Sequence, residues 1–263
     1  MSRVVVITGA SSGIGLEASR LFAEAGDKVV SLSRSGKGEC GDLVECDISD
    51  IDSVKRAVDY IIEKYGRIDV LVNNAGMGIS GPFETQDIND IRKQFDTNLI
   101  GSIQMMQAVL PYMRTAGSGR IINTSSVASR VGIPFQSFYS ASKAALDCVS
   151  FALNAEVKEY GITITNVLPG DTKTGFTNNR IKQDVEQADV YKYKMARSVG
   201  TMEKDEQNGM SPEQIAKTIY NVSIKKNPPL QVVVGMKYKL LCMLIKFLPV
   251  KLVNNVIRLI YAK

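Results

Sequence analysis

The 263-residue sequence contains no histidine and no tryptophan, and it has only four cysteines. Without histidine, Ser-His-Asp and Cys-His nucleophilic chemistry is excluded. Cys40, Cys46, Cys148 and Cys242 form no C-x-x-C pair and no metal-ligand spacing, so no metal site is expected. That cysteine usage fits reduced thiols in a cytoplasmic compartment. No signal peptide fits either, because the first apolar run, residues 4–7, begins almost at the initiator. Any proton transfer falls to tyrosine, lysine, cysteine or a carboxylate.

Acidic residues are missing from the end of the chain. After Glu213 there is none, while Lys217, Lys225, Lys226, Lys237, Lys239, Lys246, Lys251, Arg258 and Lys263 carry +9. The formal charge is +5, so the rest of the chain nets −4, that is +5 less +9. The basic character is therefore local, and no nucleic-acid partner is expected. Long apolar runs are absent too. In residues 236–263 the longest uncharged apolar run is residues 240–245, far short of the roughly 20 residues a spanning helix needs.

What the chain does contain is concentrated in residues 119–145. Tyr139 and Lys143 are four residues apart, which on a helix puts phenol and ammonium on one face. A phenol has an ordinary pKa of about 10. A cation within roughly 4–6 Å stabilises the phenolate and brings it toward the range of an acid/base catalyst. Tyr60 and Lys64 have the same spacing but lie in an ordinary exposed helix face. Context separates the pairs: Ser126 lies thirteen residues before Tyr139, at the end of an apolar run, whereas Asp47 holds that place before Tyr60. A hydroxyl at a strand end, facing a Tyr/Lys helix, suits a substrate carbonyl or alcohol.

Upstream, a buried strand over Val4–Thr8 leads into Thr8-Gly9-Ala10-Ser11-Ser12-Gly13-Ile14-Gly15 and then an amphipathic run closed by Gly26. A strand, a glycine turn and a helix make a phosphate cradle, because glycines let the backbone approach and the helix N-terminus offers unpaired N–H groups. The second strand, Lys28–Ser33, is followed by Arg34 with no acid beside it. A planar guanidinium there suits a ribose 2′-phosphate, the other reading being a surface arginine pointing to water.

Together these residues resemble the short-chain dehydrogenase/reductase family, whose glycine turn is T-G-x-x-x-G-x-G and whose active site has a Ser, a Tyr and a Lys at this spacing. The resemblance runs from the glycine turn to Val234. It implies one doubly wound α/β Rossmann domain over residues 1–235, with a parallel sheet of about seven strands. It implies contacts to a dinucleotide, NADP(H) over NAD(H), from Gly9, Ser11, Ser12, Gly13, Ile14, Gly15 and Arg34. Asp47 and Ile48 match the family's adenine-edge position, and Asn73-Asn74-Ala75-Gly76 its N-N-A-G motif, in which Asn74, Ala75 and Gly76 line the cofactor. Pro169, Gly170, Thr172 and Thr174 match the motif that holds the nicotinamide, although Thr172 replaces the usual aliphatic residue. Ser126, Tyr139 and Lys143 would be catalytic, with Tyr139 and Lys143 also touching the cofactor. Asn98, in a long helix expected over residues 88–113, would relay protons to Lys143, or else serve as a buried structural amide.

Beyond the motifs, residues 175–209 are polar and poor in signals, and the resemblance makes them a substrate lid. Phe176, Tyr191, Tyr193 and Met195 in it either face a ligand or pack the lid to the body. Pro249 divides the tail, residues 236–263, into two short basic, apolar helices, which suggests a segment lying on an anionic bilayer. Packing on the substrate pocket or on another subunit stays open. Gly132-Ile133-Pro134-Phe135 before Tyr139 looks like the hydroxysteroid and retinol dehydrogenase branch. The expected activity is interconversion of a hydrophobic secondary alcohol and ketone of steroid, retinoid or oxo-lipid type. The alternatives are a 3-oxoacyl-thioester reductase and a non-catalytic NADP(H) sensor at a membrane. A homo-oligomer, dimer or tetramer, would form through the helices near residues 88–113 and 138–160.

Overall fold

The computed structural model describes residues 2–183 and 189–262. Residues 184–188 of the expected lid, and Lys263 of the tail, lie outside the described residues.

Seven strands form one parallel sheet: β1 (Val4–Thr8), β2 (Lys28–Ser33), β3 (Asp42–Glu45), β4 (Val70–Asn73), β6 (Gly119–Thr124), β7 (Ile162–Leu168) and β9 (Gln231–Val233), in the order β3-β2-β1-β4-β6-β7-β9. The strands read as continuous apolar runs because helices cover both faces. Val6, Val30, Leu71 and Ile121 point to the side covered by α2 (Ile51–Tyr65) and α4 (Gly101–Thr115). Their neighbours Val5, Ile7, Val72 and Ile122 point to the side covered by α1 (Gly13–Glu24) and α8 (Pro212–Ile224). This is the period of two that an extended chain imposes. The order reverses between β1 and β4, so a crevice opens at their C-terminal ends.

One polar rung crosses the sheet. Asn73, Asn123 and Asn166 are in register on β4, β6 and β7. Asn73 Nδ2 donates to Asn123 Oδ1 at 2.9 Å, and Asn123 Nδ2 donates to Ser150 Oγ at 2.8 Å and to Asn166 Oδ1 at 3.4 Å. All three asparagines are buried, and these bonds offset part of the desolvation that burial costs them, while Asn73 Oδ1 and Asn166 Nδ2 have no partner among the described residues.

The helix expected as one piece over residues 88–113 is not uniform. It runs as α3 (Ile88–Phe95), a π-helical turn (Asp96–Ile100) and α4. The wide turn carries Asn98 and precedes Gly101, where a Cβ would lie 2.7 Å from Ile48 Cγ1. Periodicity conceals such a turn because the apolar spacing continues through it; π turns of this kind recur at functional sites. A small parallel pair, β5 (Ile79–Ser80) with β8 (Ile181–Lys182), ties the segment after β7 to the loop after β4. Between β7 and α8 also lie α6 (Phe176–Asn179) and α7 (Asp189–Gln207), and α5 (Ser137–Val157) precedes β7. The tail forms α9 (Met236–Phe247) and α10 (Val250–Tyr261), broken at Pro249 as expected. Among the described residues, no helix is long and apolar enough to cross a membrane.

Candidate active site

The crevice at the sheet's C-terminal edge is a cavity of about 700 Å³. Every site residue expected from the sequence lines it except Gly15 and Asn98, which support it from behind.

At one end is the glycine turn. Gly9 and Gly13 have φ of +66° and +54°, a region that favours glycine. A Cβ on Gly15 would sit 2.3 Å from the Gly9 carbonyl oxygen, and one on Gly9 would sit 2.8 Å from Ala75 Cα. The turn is stitched to the strand beside it. Thr8 Oγ1 accepts from the Asn74 and Ala75 amides at 2.9 and 3.0 Å, and Asn74 Nδ2 donates to the Thr8 carbonyl at 3.1 Å. These close backbone contacts, which only glycine allows, set the turn and the first turn of α1 at the cavity edge, where unpaired helix N–H groups suit a pyrophosphate. Arg34 is exposed on the same wall. Burial pushes the Asp47 carboxylate up, but hydrogen bonds from the Ser49 hydroxyl and amide, with a smaller contribution from the Arg34 charge, hold it below the ordinary carboxylate range.

At the other end, Ser126 follows β6 and Tyr139 opens α5. The Ser126 hydroxyl accepts from the Ala128 amide at 3.1 Å. Burial pushes the Tyr139 phenol up to about 12; a hydrogen bond with Ser126 pulls it down, Glu206 raises it and Arg180 lowers it. The phenol of this structure therefore lies above its ordinary value, not below it as the Tyr/Lys spacing suggested, because burial outweighs the charges nearby. Burial brings the Lys143 ammonium down to about 8, against an upward pull from Asp147. Lys143 Nζ donates to the Thr124 carbonyl at 2.9 Å and lies 5.9 Å from the centre of the Tyr139 ring. Asn98 Oδ1 accepts from the Met77 amide at 2.8 Å, while its Nδ2 donates to the Met77 carbonyl at 2.9 Å and to Ser142 Oγ at 3.1 Å. A Cβ on Gly76 would meet both Asn98 Oδ1 and Lys143 Nζ, at 3.3 and 3.5 Å. The amide and the ammonium thus flank one glycine.

Of the four lid residues left open, Phe176 faces the cavity, with its ring 5.6 Å from that of Tyr139. Met195 is buried and Tyr193 exposed. Tyr191 packs edge-on to Phe135 at 6.4 Å, beside a separate hollow. Several lining residues carry no local sequence signal. Met202 and Glu206 reach the cavity from α7, and Tyr261 reaches it from the end of α10. The Glu206 carboxylate pairs with the buried Arg180 and accepts from Thr177 Oγ1 at 2.6 Å. With its amide oxygen turned toward Arg180, Gln136 accepts from Arg180 Nε at 2.8 Å. Tyr238 of α9 donates to Asp171, and its ring occupies the space beside Gly170, where a Cβ would come within 2.2 Å. Among the described residues, no group of histidine, cysteine or carboxylate side chains could hold a metal ion.

Comparison with known proteins agrees with this geometry. The family described as short chain dehydrogenase matches residues 3–185. A 3-ketodihydrosphingosine reductase of Bacteroides thetaiotaomicron is 40% identical over 264 residues, covering 99% of this chain and 98% of that protein. The dehydrogenase/reductase SDR family member 7B of Xenopus tropicalis is 33% identical, over 82% of this chain and 72% of its own length. Among solved structures, a short-chain dehydrogenase from Streptomyces avermitilis superposes with a TM-score of 0.81 at 28% identity, covering 92% of this chain and 91% of its own. A metagenomic short-chain oxidoreductase in complex with NADP gives 0.70 at 25% identity, over 89% and 97%.

Proposed function

The chain belongs to the short chain dehydrogenase family of oxidoreductases, and from that premise we propose that it reduces a hydrophobic ketone to the secondary alcohol with NADPH, the ketone being an oxo-lipid. The observation that carries this reading is the shared cavity. The glycine cradle and the Ser126/Tyr139 pair open into one space, whose lining includes the apolar Ile133, Phe176, Ile181 and Met202 beside Gln136, Asn179 and Glu206. A lining of that kind takes an apolar substrate, and its few polar groups fix the orientation of the carbonyl. The 3-ketodihydrosphingosine reductase, similar over nearly its full length, favours a long-chain ketone over a steroid or retinoid.

In this reading Ser126 hydrogen-bonds the carbonyl oxygen and Tyr139 gives it a proton. A phenol held near 12 stays protonated at neutral pH and passes its proton to an alkoxide readily, since an alcohol is the weaker acid. That suits the reductive direction. Lys143, still largely charged at neutral pH, stabilises the phenolate left behind and would hold the cofactor's ribose; Asn98, across Gly76 from the ammonium, would relay protons to it. The hydride is the cofactor's contribution. Arg34, with no acid at the end of β2, supports the phosphorylated cofactor. Residues 175–209 would form the substrate lid, held among the described residues by β8 and by the Arg180–Glu206 pair.

The test is consumption of NADPH with a panel of hydrophobic ketones, long-chain ones included, beside NADH and beside Tyr139→Phe. Turnover that prefers NADPH and falls by about 10²–10⁴ in the variant is the expected result. Tight NADPH binding without turnover of any ketone sinks the reading.

A further inference from the structure

α9 and α10 each bury one face and leave an apolar stripe on another. In α9, Tyr238 and Cys242 turn inward, while Met236, Leu240, Met243, Leu244 and Phe247 are exposed at i, i+4, i+7, i+8 and i+11. In α10, Ile257 is buried, while Leu252, Val256, Leu259 and Ile260 repeat the i, i+4, i+7, i+8 pattern on the outside. A single exposed aliphatic side chain is ordinary. Two regular stripes, joined through Val250 at 84% exposure, need an occupant.

Charge says which occupant. Lys237, Lys239, Lys246, Lys251 and Arg258 are all exposed on the same two helices, none of them in an ion pair among the described residues. No acidic residue follows Glu213 in the sequence. We propose that this face docks on an anionic lipid bilayer, with α9 and α10 lying in the interface. A second copy of the chain, meeting it through the same face, would set these cations against their own images. An acidic protein would neutralise the cations but has no special use for two stripes of Leu, Ile, Val, Met and Phe. A bilayer with anionic headgroups meets both requirements. Each helix has 12 residues, about 18 Å of length, which lies in an interface and does not cross it.

The same helices touch the active site. α10 packs on α7 and ends at Tyr261 on the cavity wall, and Tyr238 of α9 holds Asp171 beside Gly170. A docked α10 therefore sets the cavity beside the membrane surface, where a long-chain ketone is dissolved. This delivery step rests on the ketone reading; the docking does not.

The test is co-sedimentation of the full chain with phosphatidylcholine vesicles, with and without phosphatidylglycerol. Binding is expected to require the anionic lipid and to weaken with salt. Each cation removed, as in Lys239→Gln or Lys246→Gln, should weaken it about fivefold. The double variant Leu244→Glu, Phe247→Glu should lose binding at any salt concentration, while its NADPH affinity and its turnover of a short, water-soluble ketone stay unchanged, showing an intact fold. Vesicle binding unaffected by these variants overturns the proposal. So does loss of self-association in sedimentation velocity as their only effect, which assigns the face to a second copy. Capture of an acidic acyl carrier protein in place of vesicles overturns it as well. Vesicle binding with no ketone turnover upholds the docking and overturns delivery alone.

Discussion

The Arg180 and Glu206 side chains form an ion pair in which the guanidinium is 1% exposed and the carboxylate, at the cavity wall, 15%. Both charges act on Tyr139, in opposite directions: Glu206 raises its pKa and Arg180 lowers it. The pair joins α7 to the segment between α6 and β8, so in the proposed reading one contact links the position of the lid to the strength of Tyr139 as proton donor. Removing the carboxylate leaves a buried cation short of its charged partner. Glu206→Ala is expected to cost about 3–5 kcal/mol in urea unfolding. Arg180→Met should cost less, because Glu206 can turn to the water of the cavity. The milder Glu206→Gln removes the charge that opposes the phenolate, so the alkaline limb of ketone reduction should move to lower pH. A limb that stays in place would mean that the pair only fastens the lid.

Lys143 gives the native state a pH signature of its own. Its pKa in the fold is about 8, against an ordinary 10.5. Between those values the unfolded chain still binds a proton that the native state has released, so stability rises with pH across that window. Below about pH 8 both states hold the proton, and the cost of burying the charge is fully present. Tyr139 works in the opposite sense. Its pKa is raised from 10 to about 12, so its contribution is present below pH 10 and is lost as pH climbs through 12. Urea midpoints measured from pH 7.5 to 9.5, a range set roughly by these two groups, should rise in the native chain and flatten in Lys143→Met. Equal slopes in the two proteins would place the source elsewhere.

Arg34 sets the choice of cofactor in our reading. A charge-assisted hydrogen bond contributes about 1.5–3 kcal/mol, so Arg34→Ala should weaken NADPH binding about tenfold to a hundredfold. NADH, which lacks the 2′-phosphate, should bind as before. Fluorescence titration with both nucleotides separates this from general damage, since a loss shared by the two would mean that Arg34 holds the loop after β2 and not the phosphate.

The fold was legible wherever local pattern and tertiary place coincide. The strand limits at Val4–Thr8 and Lys28–Ser33 agree with those expected from the sequence, and Pro249 marks a break that any helix would have there. The two Tyr/Lys pairs show where spacing alone misleads. In the exposed pair, Lys64 Nζ donates to Tyr60 Oη at 3.1 Å. In the buried pair, Lys143 Nζ donates to the Thr124 carbonyl at 2.9 Å and lies 5.9 Å from the centre of the Tyr139 ring. Spacing fixes a shared helix face; burial and the neighbouring strand decide what the side chains do on it. Glu206, Met202 and Tyr261 were illegible for a different reason. They reach the cavity from α7 and α10, and nothing in their own segments says which way those helices lie. Asn123 sat in plain view within the apolar run of β6, yet its role depends on Asn73 and Asn166, each more than 40 residues away.

Gly170 and Tyr238 offer the sharpest test of how the tail is fastened to the site. A methyl on Gly170 would come within 2.2 Å of the Tyr238 ring, whose hydroxyl is anchored on Asp171. The ring cannot move aside without giving up that bond, so Gly170→Ala should cost about 1–3 kcal/mol by overpacking. Tyr238→Leu removes both the bond and the obstacle. If the contact is the reason for the glycine, the double variant will be more stable than the sum of the single losses predicts, with a coupling of about 0.5–3 kcal/mol. Urea unfolding of the four proteins measures it. Strict additivity would mean that Gly170 is there for the cofactor alone, and that α9 packs on the site without shaping it.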